Sequence, residues 1–247
     1  MTAAPLTCRD VTVNFGAFTA LQDVGLTFET GQVTALIGPN GAGKTTLMNV
    51  LSGLQRPTRG SVHLNGRDVT RMPSHRRAVS GMARSFQIVN VFPSMTVHEN
   101  LRLAAQRAKL PTAPWWRTVD SLPGLAETVE QHLGEFGLAH RADEPAGELS
   151  HGEQRALELA LSLMGSPSVL LLDEPLAGVG HSDLPAFIAM LRRVAANRTM
   201  VLVEHNMDAV MGLADRVVCL VGGAVLASGR PDDIRSDERV RSAYLGS

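Results

Sequence analysis

The chain has 247 residues, 44% of them hydrophobic, with 23 basic and 24 acidic side chains and a formal net charge of -1. That length and apolar content supply a sizeable core, and the near-neutral charge excludes a nucleic-acid binder that works through a broad basic surface. The two cysteines, Cys8 and Cys219, have neither metal-ligand spacing nor the density of a disulfide framework, which suits a reducing cytoplasm.

Residues 1–9 hold no apolar run of signal-peptide length. The longest uncharged stretches, 159–172 and 217–229, fall short of the ~18 apolar residues of a spanning helix, and glycine interrupts both. Action at a membrane would therefore go through a partner. In chain order, the alternation in 6–13 and 25–28 predicts strands of antiparallel type. The uniformly apolar run 33–37 predicts a strand buried on both faces. Next, Leu47, Val50, Leu51 and Leu54 recur at helical spacing, closed by Gly53 and Pro57. Residues 61–64 with the Asn65-Gly66 turn predict a hairpin strand. Residues 91–147 read as helical, with Leu125, Val129, His132, Leu133 and Phe136 on one face. A proline-rich loop at 111–124 interrupts them and carries Trp115 and Trp116. Apolar strands at 169–172 and 200–203 alternate with helices, the pattern of a parallel sheet covered by helices.

Three motifs carry chemistry. Gly38-Pro39-Asn40-Gly41-Ala42-Gly43-Lys44-Thr45-Thr46 fits G-x-x-x-x-G-K-[ST] in full. Its glycines let successive N–H groups point at phosphate oxygens at a helix N-terminus. Lys44 would reach the β- and γ-phosphates of a nucleotide, and the Thr45 hydroxyl would ligate Mg²⁺. The run 169–172 ends in Asp173 and Glu174. An acid there can meet a P-loop Mg²⁺, the role of Asp173, and Glu174 is placed to polarise an attacking water. Ser150, His151, Gly152 and Glu153 open a helix through a capping box, Ser150 with Glu153, whose N–H groups can also bind phosphate.

The combination resembles the ATP-binding subunits of ABC transporters over essentially the whole chain. The resemblance implies a single domain, 1–247, of α/β class: a P-loop core with an antiparallel β subdomain and a helical subdomain at approximately 91–165. It implies that Phe15 stacks on adenine, with Phe18 as the fallback. Gln87, in Arg84-Ser85-Phe86-Gln87, would contact Mg²⁺ and the attacking water and couple to a membrane subunit. His205, just beyond a strand end, would contact the γ-phosphate. Residues 149–154 match the signature that completes the site of ATP held by a second subunit. Two departures stand out. Where the family commonly has Leu-Ser-Gly-Gly-Gln, His151 replaces the first glycine and Glu153 the glutamine, which adds negative charge near ATP. Gly180 stands where many relatives place an aspartate, and Asp183 substitutes only if the loop takes a different course.

Arg84-Ser-Phe-Gln, the run from Val91 to Leu101, Ser150-His-Gly and the C-terminal Ala243-Tyr-Leu-Gly246 are similar to one branch, the ATPases of branched-chain amino acid importers and their urea and short-amide relatives. The partners so implied are a second ATP-binding subunit, identical or not, two transmembrane permease subunits, and a solute-binding protein reached indirectly. The implied place is the cytoplasmic face of the membrane. Two other classes fit less well. A soluble ATPase acting on ribosomes or chromosomes would carry two ATPase units or a long coiled coil, and 46–149 holds no sustained heptads. A non-hydrolysing module would not need Lys44, Glu174 and His205 together. The arginines Arg67, Arg71, Arg76, Arg77 and Arg84 read as a solvated face or a partner contact.

Overall fold

The computed structural model describes residues 5–85, 91–109 and 124–245. They group into two compact units, one of Met1–Arg84, Ser168–Pro175 and Ala195–Ser247, the other of Ser85–Pro167 and Leu176–Val194.

The first unit holds two sheets. In one, β1 (Leu6–Phe15) pairs antiparallel with β2 (Phe18–Phe28) and with β4 (Arg59–Leu64), and β4 pairs with β5 (Arg67–Asp68). The β4–β5 turn is Asn65-Gly66, both at positive φ (51° and 76°), the geometry that Asn-Gly favours because it follows the strand twist. β2 begins at Phe18, well before residue 25. Asp23 at φ 48° and register shifts near Val11 and Val13 break the alternation that a sequence pattern relies on.

The other sheet has the order β10-β9-β3-β8-β7-β6. Here β3 (Val33–Ile37) is buried throughout, as its composition predicts. It lies parallel to β8 (Thr199–Val203) and to β9 (Arg216–Val221). β8 is parallel to β7 (Val169–Asp173), β6 (Met82–Ser85) closes one edge, and β10 (Ala224–Gly229) turns back antiparallel on β9. Helix α1 (Lys44–Ser52) packs Leu47, Met48, Val50 and Leu51 into a core shared with both sheets. It ends at Gly53, whose φ of 79° suits glycine at a helix C-terminus.

Short α2 (Ser74–Val79) carries Arg77, which is 1% exposed although its sequence context suggests a solvated arginine. Its guanidinium donates to the carbonyls of Val50, Leu51, Val69, Thr70 and Met72 at 2.7–3.2 Å. It thus satisfies carbonyls at the end of α1 and in the turn after β5.

The second unit is helical. In α3 (Val97–Lys109), Thr96 and Glu99 form a reciprocal capping box. Buried Asn100 binds the backbone of Phe92, Met95 and Thr96. The run from Val91 to Leu101 therefore has a structural task, fixing the entry to α3. In α4 (Leu125–Glu135), His132 is a core residue with ring nitrogens on the Thr128 and Leu163 carbonyls. α5 (His151–Ser162) and α6 (Leu184–Ala195) complete this unit. Helices α7 (Met207–Leu213), α8 (Pro231–Ser236) and α9 (Glu238–Leu245) belong to the first unit.

Candidate functional site

Leu36 of β3 and Asp173 of β7 both pair with Val203 of β8, so three parallel strands end in one row. The chain leaves these ends as the 38–46 loop, as Glu174 and as His205. Open α/β sheets bind ligands at this edge, beyond the carboxyl ends of their strands.

The loop's shape depends on glycine. Gly38, Gly41 and Gly43 have φ of 144°, 78° and 101°. A Cβ on Gly38 would collide with the Leu220 carbonyl oxygen, and one on Gly43 would lie 2.8 Å from the Ala20 carbonyl oxygen. Gly43 is the N-cap of α1, and no side chain caps it. The first-turn N–H groups are thus presented to an anion. Lys44 is buried, its Nζ donating to the carbonyls of Gly38 at 2.6 Å and Pro39 at 2.9 Å. Burial lowers its pKa, with the Glu174 and Cys219 charges acting the other way. A phosphate would offer this ammonium charged oxygens in place of neutral carbonyls. Thr45 is exposed at the start of the helix.

Asp173 and Glu174 sit at the end of β7. Glu174 has φ 45°, a left-handed backbone that costs a non-glycine residue on the order of 1 kcal/mol and concentrates at functional sites. Its N–H donates to the Val203 carbonyl at 2.9 Å. Its Oε1 lies 2.9 Å from His205 Nε2. A carboxylate oxygen accepts, so Nε2 carries the proton. The structure thus brings together the two residues read as base and γ-phosphate contact.

Among the described residues, no group of three or more His, Cys, Asp or Glu is placed to hold a metal ion. The Thr45 hydroxyl and the Asp173 carboxylate are hard oxygen donors, and two of them suit Mg²⁺, which keeps water and shares phosphate oxygens. Gln87, the third residue assigned to that ion, lies outside the described residues, as do Trp115 and Trp116. Phe15 and Phe18 are 52% and 64% exposed and paired across the β1–β2 turn. Neither is a core phenylalanine, and either face is open to stacking.

At the N-terminus of α5 the capping box is present. Ser150 Oγ accepts from Glu153 N at 3.3 Å, and Ser150 N donates to Glu153 Oε2 at 2.9 Å. The other Glu153 oxygen lies 3.3 Å from Arg141 Nε and 3.4 Å from His140 Nε2. Burial alone would raise the Glu153 pKa. The Ser150 hydrogen bonds, with the Arg141 and His140 charges, outweigh it and hold the carboxyl below the usual range. The added negative charge is therefore compensated within the same unit. Asp183 lies close by, its Oδ2 3.2 Å from where a Cβ on Gly152 would stand. His151 is exposed.

The family described as ABC transporter matches residues 21–177. The chain belongs to this family. A second family, branched-chain amino acid ATP-binding cassette transporter, matches the C-terminal residues 224–247. The high-affinity branched-chain amino acid transport ATP-binding protein BraF of Pseudomonas aeruginosa is 42% identical over 245 residues, covering 96% of this chain and 95% of that protein. LivG of Salmonella typhimurium, which bears the same description, is 38% identical over 252 residues, covering 98% and 97%. The ADP conformation of an ATP-binding cassette of an ABC transporter superposes with a TM-score of 0.82 at 29% identity over the full length of both chains. This ABC protein is an ATP-hydrolysing transporter subunit with the P-loop α/β fold that its motifs predict. As a subunit of an ABC transport system it works with membrane permease partners; among the described residues, no helix is long and apolar enough to cross a membrane.

The contacts of two residues escape a reading by motif. Arg84 is largely buried, its side chain 8% exposed, and is bound to Asp173, and Arg141 faces Glu153. For Arg84 a signal was present. It lies two residues after buried Met82 on a strand, and so on the same face. Both Arg77 and Arg84 correct the view of the arginines at 67–84 as a solvated face or a partner surface.

Proposed function

We propose that this ATPase subunit powers the uptake of branched-chain amino acids, working with a second ATP-binding subunit, two transmembrane permease subunits and, indirectly, a solute-binding protein, at the cytoplasmic face of the membrane. Support for the substrate comes from the family match at 224–247 and from the names of the relatives, which agree over nearly their whole lengths. Support for the catalytic assignment is the 2.9 Å contact between Glu174 and His205 at the strand ends beside the 38–46 loop.

In this reading the amides of residues 38–46 and Lys44 hold the triphosphate, and Phe15 stacks on adenine. Thr45, Asp173 and Gln87 hold Mg²⁺, which when bound neutralises developing phosphate charge. Glu174 orients and polarises the attacking water, and accepts its proton. His205 holds the Glu174 carboxylate in position and contacts the γ-phosphate. Ser150 and the Gly152 amide, flanked by His151 and Glu153, complete the ATP site of the partner subunit. Because only a closed pair uses both halves, ATP favours closure and hydrolysis releases it.

The test is Glu174→Gln in the assembled transporter. We expect ATP binding to persist while turnover falls by about a hundredfold or more, the size of effect that loss of a general base gives. Turnover near wild type would remove Glu174 from the role. Leucine-stimulated ATPase activity with the permease subunits that co-purify tests the substrate, and stimulation by urea or short amides instead would overturn that part.

A further inference from the structure

Arg84 ties the site's acid to the P-loop helix. Its Nε and Nη2 donate to Asp173 Oδ2 at 3.0 and 2.7 Å. Its Nη1 donates to Asn49 Oδ1 at 2.7 Å and to Ser52 Oγ at 2.9 Å. Asn49 and Ser52 both lie on α1, the helix that begins with Lys44 and Thr45. The side chain is 8% exposed, so the guanidinium is largely desolvated and its bonds are stronger than surface ones. A planar fork with several fixed donors can hold two partners at a set spacing, which a lysine ammonium cannot.

Charge neutralisation of Asp173 would explain half of this arrangement. It does not explain Nη1, which is spent on two neutral groups of α1. These contacts fix the end of β7 against α1, the two elements that carry Asp173 and Thr45.

We infer that Arg84 is a positioning residue for the divalent cation: by bridging Asp173 to Asn49 and Ser52 it holds two of the protein's oxygen donors, those of Asp173 and Thr45, in register before nucleotide arrives. This rests on the reading of Asp173 and Thr45 as Mg²⁺ ligands. Groups that orient metal ligands without touching the metal typically change affinity or activity by about 10- to 100-fold when lost.

The experiment titrates Mg²⁺ against the purified full-length chain with a non-hydrolysable fluorescent ATP analogue, and reads the Mg²⁺ concentration at half-maximal binding. Thermal melting of each variant is followed in parallel. Arg84→Gln should raise that concentration by about tenfold or more, with analogue affinity in EDTA unchanged. Arg84→Lys should restore only part of the loss. Asn49→Ala combined with Ser52→Ala keeps the ion pair but cuts both side-chain links to α1, and should raise the concentration severalfold; this double variant carries the test if Arg84→Gln does not fold. A folded Arg84→Gln chain with wild-type Mg²⁺ dependence overturns the inference. So does a shift in Arg84→Gln with none in the Asn49→Ala, Ser52→Ala double variant, which would leave charge neutralisation alone. Asp173→Asn separates the two levels: if it does not change Mg²⁺ dependence, the ligand assignment falls, and if it does while Arg84→Gln does not, only the bridge falls.

Discussion

Replacing Arg77 with methionine should destabilise the chain more than almost any other single charged-to-neutral change in it. Methionine nearly fills the volume but removes every donor. Five carbonyls lose a hydrogen bond. Two of them keep a backbone donor, Val50 from Gly53 N at 3.2 Å and Val69 from Met72 N at 2.8 Å. For Leu51, Thr70 and Met72, the guanidinium is the donor identified among the described residues. A buried acceptor left unsatisfied costs about 1–3 kcal/mol, so three cost roughly 3–9 kcal/mol. Removing the cation also removes its own desolvation cost, which is real here, since burial pulls the Arg77 pKa down to about 10. We therefore expect a net loss of about 4 kcal/mol. For a chain of this size that lowers Tm by roughly 8–16 °C. Thermal unfolding of the isolated chain, followed by circular dichroism, measures it, with Arg76→Met as the exposed neighbour control. Arg77→Lys should recover little, because one ammonium cannot reach carbonyls arrayed around a planar fork. If Arg77→Met melted within about 2 °C of wild type, less than 1 kcal/mol would be at stake and the argument would be refuted.

Other outcomes follow from the same structure. Gly38→Ala should abolish nucleotide binding while the chain stays folded, because its Cβ would meet the Leu220 carbonyl and distort the loop; normal binding of a fluorescent nucleotide would show that the loop tolerates the side chain. Glu153→Gln should alter the acid limb of stability. Because the folded Glu153 pKa is depressed, its contribution is fully present above the unfolded value near 4.5 and is lost as pH falls through the lower folded value. Denaturant midpoints should therefore separate the two proteins at neutral pH and converge as pH falls through the depressed folded value; a gap constant with pH would mean that the Glu153 charge adds nothing. Ser150→Ala should weaken the start of α5 by about 1 kcal/mol through loss of its cap, and should also lower ATPase activity in the assembled transporter. A stability loss without an activity loss would leave the helix cap as its whole role.

The sequence made the strand-loop-helix around Lys44 legible because every constraint there is local. A buried strand, glycines at positive φ and a helix start all lie within 33–52, and each has its own residue signature. The acids at 173 and 174 were legible for the same reason, as the end of an apolar run. The contact between Glu174 and His205 was not written locally. It depends on β7 pairing with β8 so that Asp173 faces Val203, a register set by the whole sheet. The full length of β2 was hidden by Asp23 and the register shifts near it, which scramble a period of two.

The arginines show where polarity misleads. Arginine is read as a surface residue because isolated charges are costly to bury. Arg77 escapes that cost through carbonyls of residues 50, 51, 69, 70 and 72, brought together only when α1 and the β4–β5 hairpin are in place. Arg84 escapes it through Asp173, 89 residues away. In both cases the partner is α1 or a neighbour of it, and both side chains fix that helix at points beyond the loop. The 38–46 loop can present its amides to a phosphate only if the helix behind it does not move. Its own glycines give it shape but no stiffness. The two desolvated guanidiniums, whose partners no motif names, hold the helix from which the motif works.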